Sequence, residues 1–200
     1  MYRTIFVTVC IGIVARIGDY ATSLDSLSLN ARSVTDNLTH GFIAALTWMV
    51  VLTRLSKLPL TSRLWEITLC GLLGSAIDLD HFAAAKSFKL QDARMLTSRP
   101  FMHCTSLPLA VFIAVSLPAY LYHWTSVQRL LWIMLAAILS HHIRDATRRG
   151  FWMWPFGSTP PVPYVYYLLA NMSLPHIIAT LIMSVGNNMK ILPLSEVISM

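Results

Sequence analysis

Six apolar stretches, each close to the length that crosses a bilayer, recur along this chain and leave little room for a water-soluble fold. They cover residues 5–24, 36–52, 64–82, 103–122, 127–148 and 164–185. A helix needs about 20 mainly apolar residues to span the hydrocarbon core. Lipid-exposed backbone must also satisfy its own hydrogen bonds, which selects helices here. The expected fold is therefore all-α, a polytopic membrane helical bundle of about six transmembrane helices in one integral membrane domain, 1–200. Composition agrees: 56% of the residues are hydrophobic and 12% are charged, against about a quarter charged in soluble domains.

The formal charge of +6 does not mark a nucleic-acid binder. The basic residues lie mostly between apolar stretches, where they orient helices or meet anionic headgroups, and no basic stripe or docking module is present. Membrane lipid is the expected partner and a multi-pass membrane location follows. Cys10, Cys70 and Cys104 are widely spaced, which argues against a disulfide framework or a thiolate metal site. The N-terminal apolar stretch lacks a convincing small-x-small cleavage site after Ala15 and reads as an uncleaved first helix. Residues 187–200 read as a peripheral tail.

Alternation of six spans places the ionisable residues on one membrane face. Asp19 lies toward that end of the first span, and Asp36 and His40 open the second. Asp78, Asp80 and His81 close the third, His103 opens the fourth, and His141, His142 and Asp145 close the fifth. Asp36 with His40, and His141 with Asp145, share a helix face at i, i+4; Asp78 and His81 do so at i, i+3, with Asp80 pointing elsewhere. Several imidazoles and carboxylates at one face form the mixed nitrogen and oxygen set that suits zinc, manganese or iron. Such an ion activates water and polarises a phosphoryl or carbonyl oxygen. A carboxylate off the metal then serves as base, a role left to Asp80 by elimination.

The same residues have structural readings. Asp36 suits a helix cap, and His141 with Asp145 suits a buried pair that holds helices together. His123, beside Trp124, reads as interfacial at the opposite face, and His176, after Pro175, as a packing or kink residue. Asn37-Leu-Thr39 fits the glycosylation pattern but abuts a helix. Ionisable groups within a membrane protein's spans are nonetheless functional candidates by default.

The segments Ser-Ala-Ile-Asp78-Leu-Asp80-His81-Phe, Arg99-Pro-Phe-Met-His103-Cys-Thr-Ser and His141-His142-Ile-Arg-Asp145, followed by Trp154-Pro155-Phe156-Gly157, resemble the eukaryotic transmembrane protein 267 family. The likeness extends to Asp36-Asn-Leu-Thr-His40 and Ser173-Leu-Pro175-His176. That family in turn resembles bacterial inner-membrane proteins of the YdjM type, described as metal-dependent hydrolases. Their pattern has an early helical His, then D-x-D-H, H-R-G-x-x-H-S, and H-x-x-x-D before W-P-F. It falls here on His40, Asp78, Asp80, His81, His103, His141 and Asp145, which the resemblance implies as the metal and catalytic set. This chain departs in having Ser98 where the bacterial motif opens with His, and Arg148 where a Thr follows the last Asp by three.

The expectation is a membrane-embedded metal-dependent hydrolase. His40, Asp78, His81, His103, His141 and Asp145 would bind a divalent metal, zinc or manganese, with Asp80 as base or supporting partner. Arg94, Arg99, Arg144, Arg148 and Arg149 fall on the same face, and Arg99, Arg148 and Arg149 would hold the anionic group of a lipid-like substrate. The alternative is a non-catalytic scaffold whose polar cluster locks the bundle. A metal-ion or proton carrier would need that cluster near the midplane, whereas it falls at helix ends.

Overall fold

The computed structural model describes residues 2–55 and 58–185, a bundle of α-helices. The expected tail at 187–200 lies outside the described residues. The long helices are α1 (Tyr2–Ser23), α2 (Leu29–Leu55), α3 (Leu60–Ala76), α6 (Ser106–Leu121), α7 (Thr125–Arg149) and α8 (Tyr164–Val185), with short α4 (Asp80–Ala85) and α5 (Leu90–Arg94) between α3 and α6. Among the described residues, four stretches are long and apolar enough to cross a membrane: α1, α2, Leu60–Ala85 and α8. The apolar α6 has 16 residues, and the 25-residue α7 carries four arginines, two of them in its last turn.

Helix α1 buries Val7, Ile11, Ala15 and Gly18 at i, i+4 and i, i+3 spacing and exposes Ile5, Phe6, Val9, Ile13 and Ile17. That is the inverse of a soluble helix: the broad apolar face meets lipid and a narrow seam meets protein. Small residues set the seams, because close backbone approach replaces the hydrophobic drive that lipid removes. A Cβ on Gly74 would lie 2.6 Å from the Ala44 Cβ and 3.3 Å from the His40 carbonyl oxygen. Helix α2 is central and packs against α1, α3, α7 and α8. Ala44, Trp48, Val51 and Leu52 meet Cys70, Ile133, Ala137 and Ile178 there.

A buried ion pair locks one end of this core. Arg129 donates from Nε and one terminal nitrogen to both carboxylate oxygens of Glu66, at 2.5 and 2.7 Å, and Trp48 Nε1 donates to Glu66 at 3.0 Å. Twelve residues of α7 separate Arg129 from His141, about 18 Å along the helix. His123 lies in an exposed turn toward the Arg129 end. His176 packs between α8 and α1, its Nε2 2.9 Å from Thr8 Oγ1.

Three boundaries differ from those read in the sequence. Helix α2 starts at Leu29 because the Ser28 hydroxyl accepts from the Ala31 amide at 3.2 Å, an N-cap. Asp36 is therefore inside the helix and does not cap it. The third apolar stretch breaks after Ala76 into a 3-10 turn, Ile77–Leu79, before α4 begins. His103 lies in another 3-10 turn, Phe101–His103, and α6 begins only at Ser106. That turn is tied to the loop after α7: the Thr105 amide donates to the Trp152 carbonyl at 2.7 Å, and Ser106 Oγ to that of Trp154 at 2.6 Å.

Candidate metal centre

Five of the residues that alternation assigned to one face meet at the end of the bundle away from Glu66. Helix α7 contributes His141 and Asp145, α2 contributes His40, the turn after α3 contributes Asp78, and the tied turn before α6 contributes His103. Nε2 of His103 lies 3.5 Å from Asp78 Oδ1, 3.4 Å from Asp145 Oδ2 and 3.4 Å from His141 Nε2. Nε2 of His141 lies 3.5 Å from Asp78 Oδ1 and 3.4 Å from Asp145 Oδ2. Five of the six distances among these four atoms are thus nearly equal, and both carboxylates flank the His103 and His141 nitrogens.

The hydrogen bonds behind the ligand atoms fix their chemistry. His141 Nδ1 lies 2.9 Å from the Gly74 carbonyl oxygen, so it must donate, and Nε2 is the nitrogen turned to the cluster. His103 Nδ1 faces Asp80 Oδ2 at 3.3 Å, and the same oxygen accepts from the Met102 amide at 2.9 Å. Asp78 Oδ2 accepts from Asn37 Nδ2 at 3.1 Å, which leaves Oδ1 for the cluster. An imidazole that donates from Nδ1 carries, in its neutral form, a lone pair on Nε2, and both Nε2 atoms here lie beside two carboxylate oxygens. This is the outer-shell pattern of histidine metal ligands, and the donor set fits a divalent ion.

The remaining candidates sit around these four. His40 stacks on His141 with ring centroids 3.7 Å apart, and its Nε2 is 3.4 Å from Asp145 Oδ1. Its buried Nδ1 has no partner among the described residues, unlike the two histidines whose Nδ1 is engaged. His81 turns Nδ1 to Asp80 Oδ1 at 3.2 Å. Asp80 does not point away from the cluster, as a regular helix would require. Two residues of α-helix turn about 200°, whereas the tighter 3-10 winding turns about 240° and narrows the angle between Asp78 and Asp80 to about 120°. The His103 ring lies against both carboxylates, Nε2 to Asp78 and Nδ1 to Asp80.

A cavity of about 840 Å³ opens over the cluster, lined by Asp78, His81, His103 and Asp145. Arg32, Arg94, Arg99, Arg148 and Arg149 also line it, as do Leu38, Leu79, Phe82, Phe88, Leu90 and Leu96. Arg148 makes a two-pronged pair with Asp36 at 2.6 and 2.8 Å and comes within 3.7 Å of Asp145. Arg99 donates to the backbone carbonyls of Arg149 and Gly150; burial and the neighbouring Arg149 lower its pKa from the usual guanidinium value. Arg144 lies apart from this wall. It is buried and spans Asp19 at 3.0 Å and Asp36 at 2.6 Å, while Tyr164 and Tyr167 donate to the other oxygen of Asp19. Its charge is consumed in tying α1, α2, α7 and α8.

Sequence reasoning passed over Asn37, Gly74 and the Met102 backbone as supports of the cluster. Asn37 had a signal, since it lies one turn before His40 on α2. Gly74 and Met102 had none, because each acts through a backbone atom.

The profile of the YdjM inner membrane protein family matches residues 36–199. Among named relatives, "Transmembrane protein 267" of Mus musculus is 43% identical over 157 residues, covering 78% of this chain and 71% of that one. Its namesake in Bos taurus is 34% identical over 170 residues, covering 84% and 77%. That of Danio rerio is 32% identical over 189 residues, covering 92% and 82%. No solved structure matches. With the matched segment containing every residue of the cluster, this multi-pass membrane protein belongs to the transmembrane protein 267 family, within the wider YdjM inner membrane protein family.

Proposed function

We propose that this chain is a membrane-embedded metal-dependent hydrolase acting on an anionic, lipid-like substrate. The observation that carries the reading is the four-donor set of His103, His141, Asp78 and Asp145 at the wall of a cavity lined by both arginine and apolar side chains. Neighbouring donors at 3.4–3.5 Å are separated as zinc bonds of about 2.0–2.2 Å at a tetrahedral angle would separate them. The same separations in an octahedron require bonds of about 2.4–2.5 Å, the calcium range, and calcium takes oxygen rather than imidazole. Zinc is the better fit.

When bound, the ion would supply a water of lowered pKa and a Lewis acid for a phosphoryl or carbonyl oxygen. The chain's own groups divide the remaining work. Asp80 is 4% exposed and accepts from His103 and Met102 through one oxygen, which supports a positioning role better than that of a base. His40 steadies the far oxygen of Asp145. Arg99, Arg148 and Arg149 hold the anionic group, and the Leu38, Leu79 and Phe82 wall receives the chain of the lipid.

A second reading has an observation of its own. Four protein donors would fill a tetrahedral ion's positions, as in structural zinc sites, whereas catalytic sites keep a position open. The scaffold alternative would then be a bundle stapled by metal.

The test is metal content and turnover on the full chain purified in detergent, with and without added zinc. Wild type and His123→Ala should retain a transition metal that His141→Ala and Asp145→Ala lose. Metal-dependent hydrolysis should appear with mixed vesicles of phosphatidic acid and phosphatidylcholine. Metal without turnover on any anionic lipid would leave the stapled scaffold, and no metal in any preparation would remove the hydrolase reading.

A further inference from the structure

Asp80 and His81 each present a buried atom that no hydrogen bond satisfies among the described residues. They are Oδ1 of Asp80 and Nδ1 of His81, 3.2 Å apart. They touch as an ion pair, without the geometry of a hydrogen bond. Asp80 already uses its other oxygen for Met102 and His103, and its side chain is 1% exposed. Leaving a buried polar group unpaired costs about 1–3 kcal/mol, more when it is charged. Two such atoms on adjacent residues, facing one another, are the arrangement a shared cation relieves. Asp78 Oδ1 stands 3.9 Å from the same His81 nitrogen.

We propose that Asp80 Oδ1, His81 Nδ1 and Asp78 Oδ1 form a second divalent-metal position, adjacent to the first and sharing the Asp78 oxygen with it. The inference rests on the reading of His103, His141, Asp78 and Asp145 as the first position. His103 belongs to that first position alone, because its Nδ1 faces Asp80 as a donor and its Nε2 faces Asp78, Asp145 and His141. Asp80 links the two: one oxygen steadies a ligand of the first ion and the other binds the second. One nitrogen and two oxygens suit zinc or manganese.

The two positions differ in what they leave open. The first has four protein donors and is closed. The second has three, and His81, with a side chain 32% exposed, lines the cavity. Its remaining coordination positions are those that water or an anionic oxygen reaches from the cavity. This removes the objection that four protein donors raise against a catalytic centre, and it gives His81 a role distinct from that of the other histidines.

Metal counting on the full chain in detergent, after saturation with manganese and removal of unbound ion, tests the proposal. Wild type should hold two ions per chain, His81→Ala one, and the low-temperature paramagnetic resonance spectrum of wild type should show two coupled manganese ions. The spectrum needs no variant, so a His81→Ala chain that fails to fold does not weaken the test. One ion per chain in wild type, uncoupled, would overturn the second position while the first stands. Two ions in both wild type and His81→Ala would place the second ion elsewhere and overturn it too. No bound ion at all would overturn both positions.

Discussion

His141 on α7 donates from Nδ1 to the Gly74 carbonyl of α3, 2.9 Å away, and through that bond a packing seam between helices orients a candidate metal ligand. The carbonyl can only accept, so Nδ1 carries a proton and Nε2 is the nitrogen turned to the cluster. The seam permits it because Gly74 has no side chain where α2 passes.

Gly74→Ala tests this coupling. The added Cβ would meet the Ala44 Cβ at 2.6 Å, and neither group can swing aside. Overpacking of this kind costs about 1–3 kcal/mol. The expected outcome is a lower unfolding midpoint in detergent together with weaker metal retention in a chelator competition. Gly12→Ala, whose Cβ meets only the flexible Met172 side chain at 3.0 Å, should change both far less.

The Glu66–Arg129 pair should separate stability from metal binding. Replacing one member of a buried pair strands the other, a loss of about 3–5 kcal/mol, whereas replacing both with apolar residues is often near neutral. Glu66→Leu should therefore destabilise strongly and Glu66→Leu with Arg129→Met should recover most of the loss, as read by thermal unfolding. Metal content per folded chain should stay at the wild-type value in the double variant, since the pair sits at the other end of the bundle.

Arg148→Lys distinguishes a shaped anion site from general attraction to a charged surface. The guanidinium fork now engages Asp36 with two bonds, and lysine keeps the charge without the fork. Binding to vesicles of different phosphate headgroups, matched for net charge, should lose its headgroup preference in Arg148→Lys. Arg149→Ala should weaken binding, because among the described residues its side chain makes no ion pair. Binding that follows net charge alone in all three proteins would make these arginines membrane anchors, worth about 1 kcal/mol each.

Placement of the cluster on one membrane face predicts a labelling pattern. In a chain freed of Cys10, Cys70 and Cys104, single cysteines at the exposed positions Ser98 and Ser158 should react with an impermeant reagent from the same side. One at the exposed Tyr122 should react only from the other side. Ser98 and Ser158 labelled from opposite sides would break the alternation on which the shared face depends.

Much of this protein was legible in its sequence because the bilayer acts on local composition. A stretch such as 164–185 must be a helix whatever its neighbours are, since its backbone has no other way to pair in lipid. Alternation of such stretches then brings Asp36, Asp78, His103 and Asp145 to one end without any knowledge of packing. The boundaries were less legible, since a cap at Ser28 and a 3-10 turn at Ile77–Leu79 are decided by a few hydrogen bonds rather than by hydropathy.

Tertiary structure alone decided what each polar residue does at that end. Arg144 and Arg148 are one helical turn apart on α7 and read alike, yet the first is buried between Asp19 and Asp36 and the second borders the cavity. His40 and His141 read alike too, and what separates them is whether Nδ1 meets an acceptor, a matter settled by a carbonyl 67 residues away in the chain. Contacts over such separations leave no periodicity in the sequence. Hydropathy assigns a residue to a membrane depth and a face, and only packing assigns it a partner.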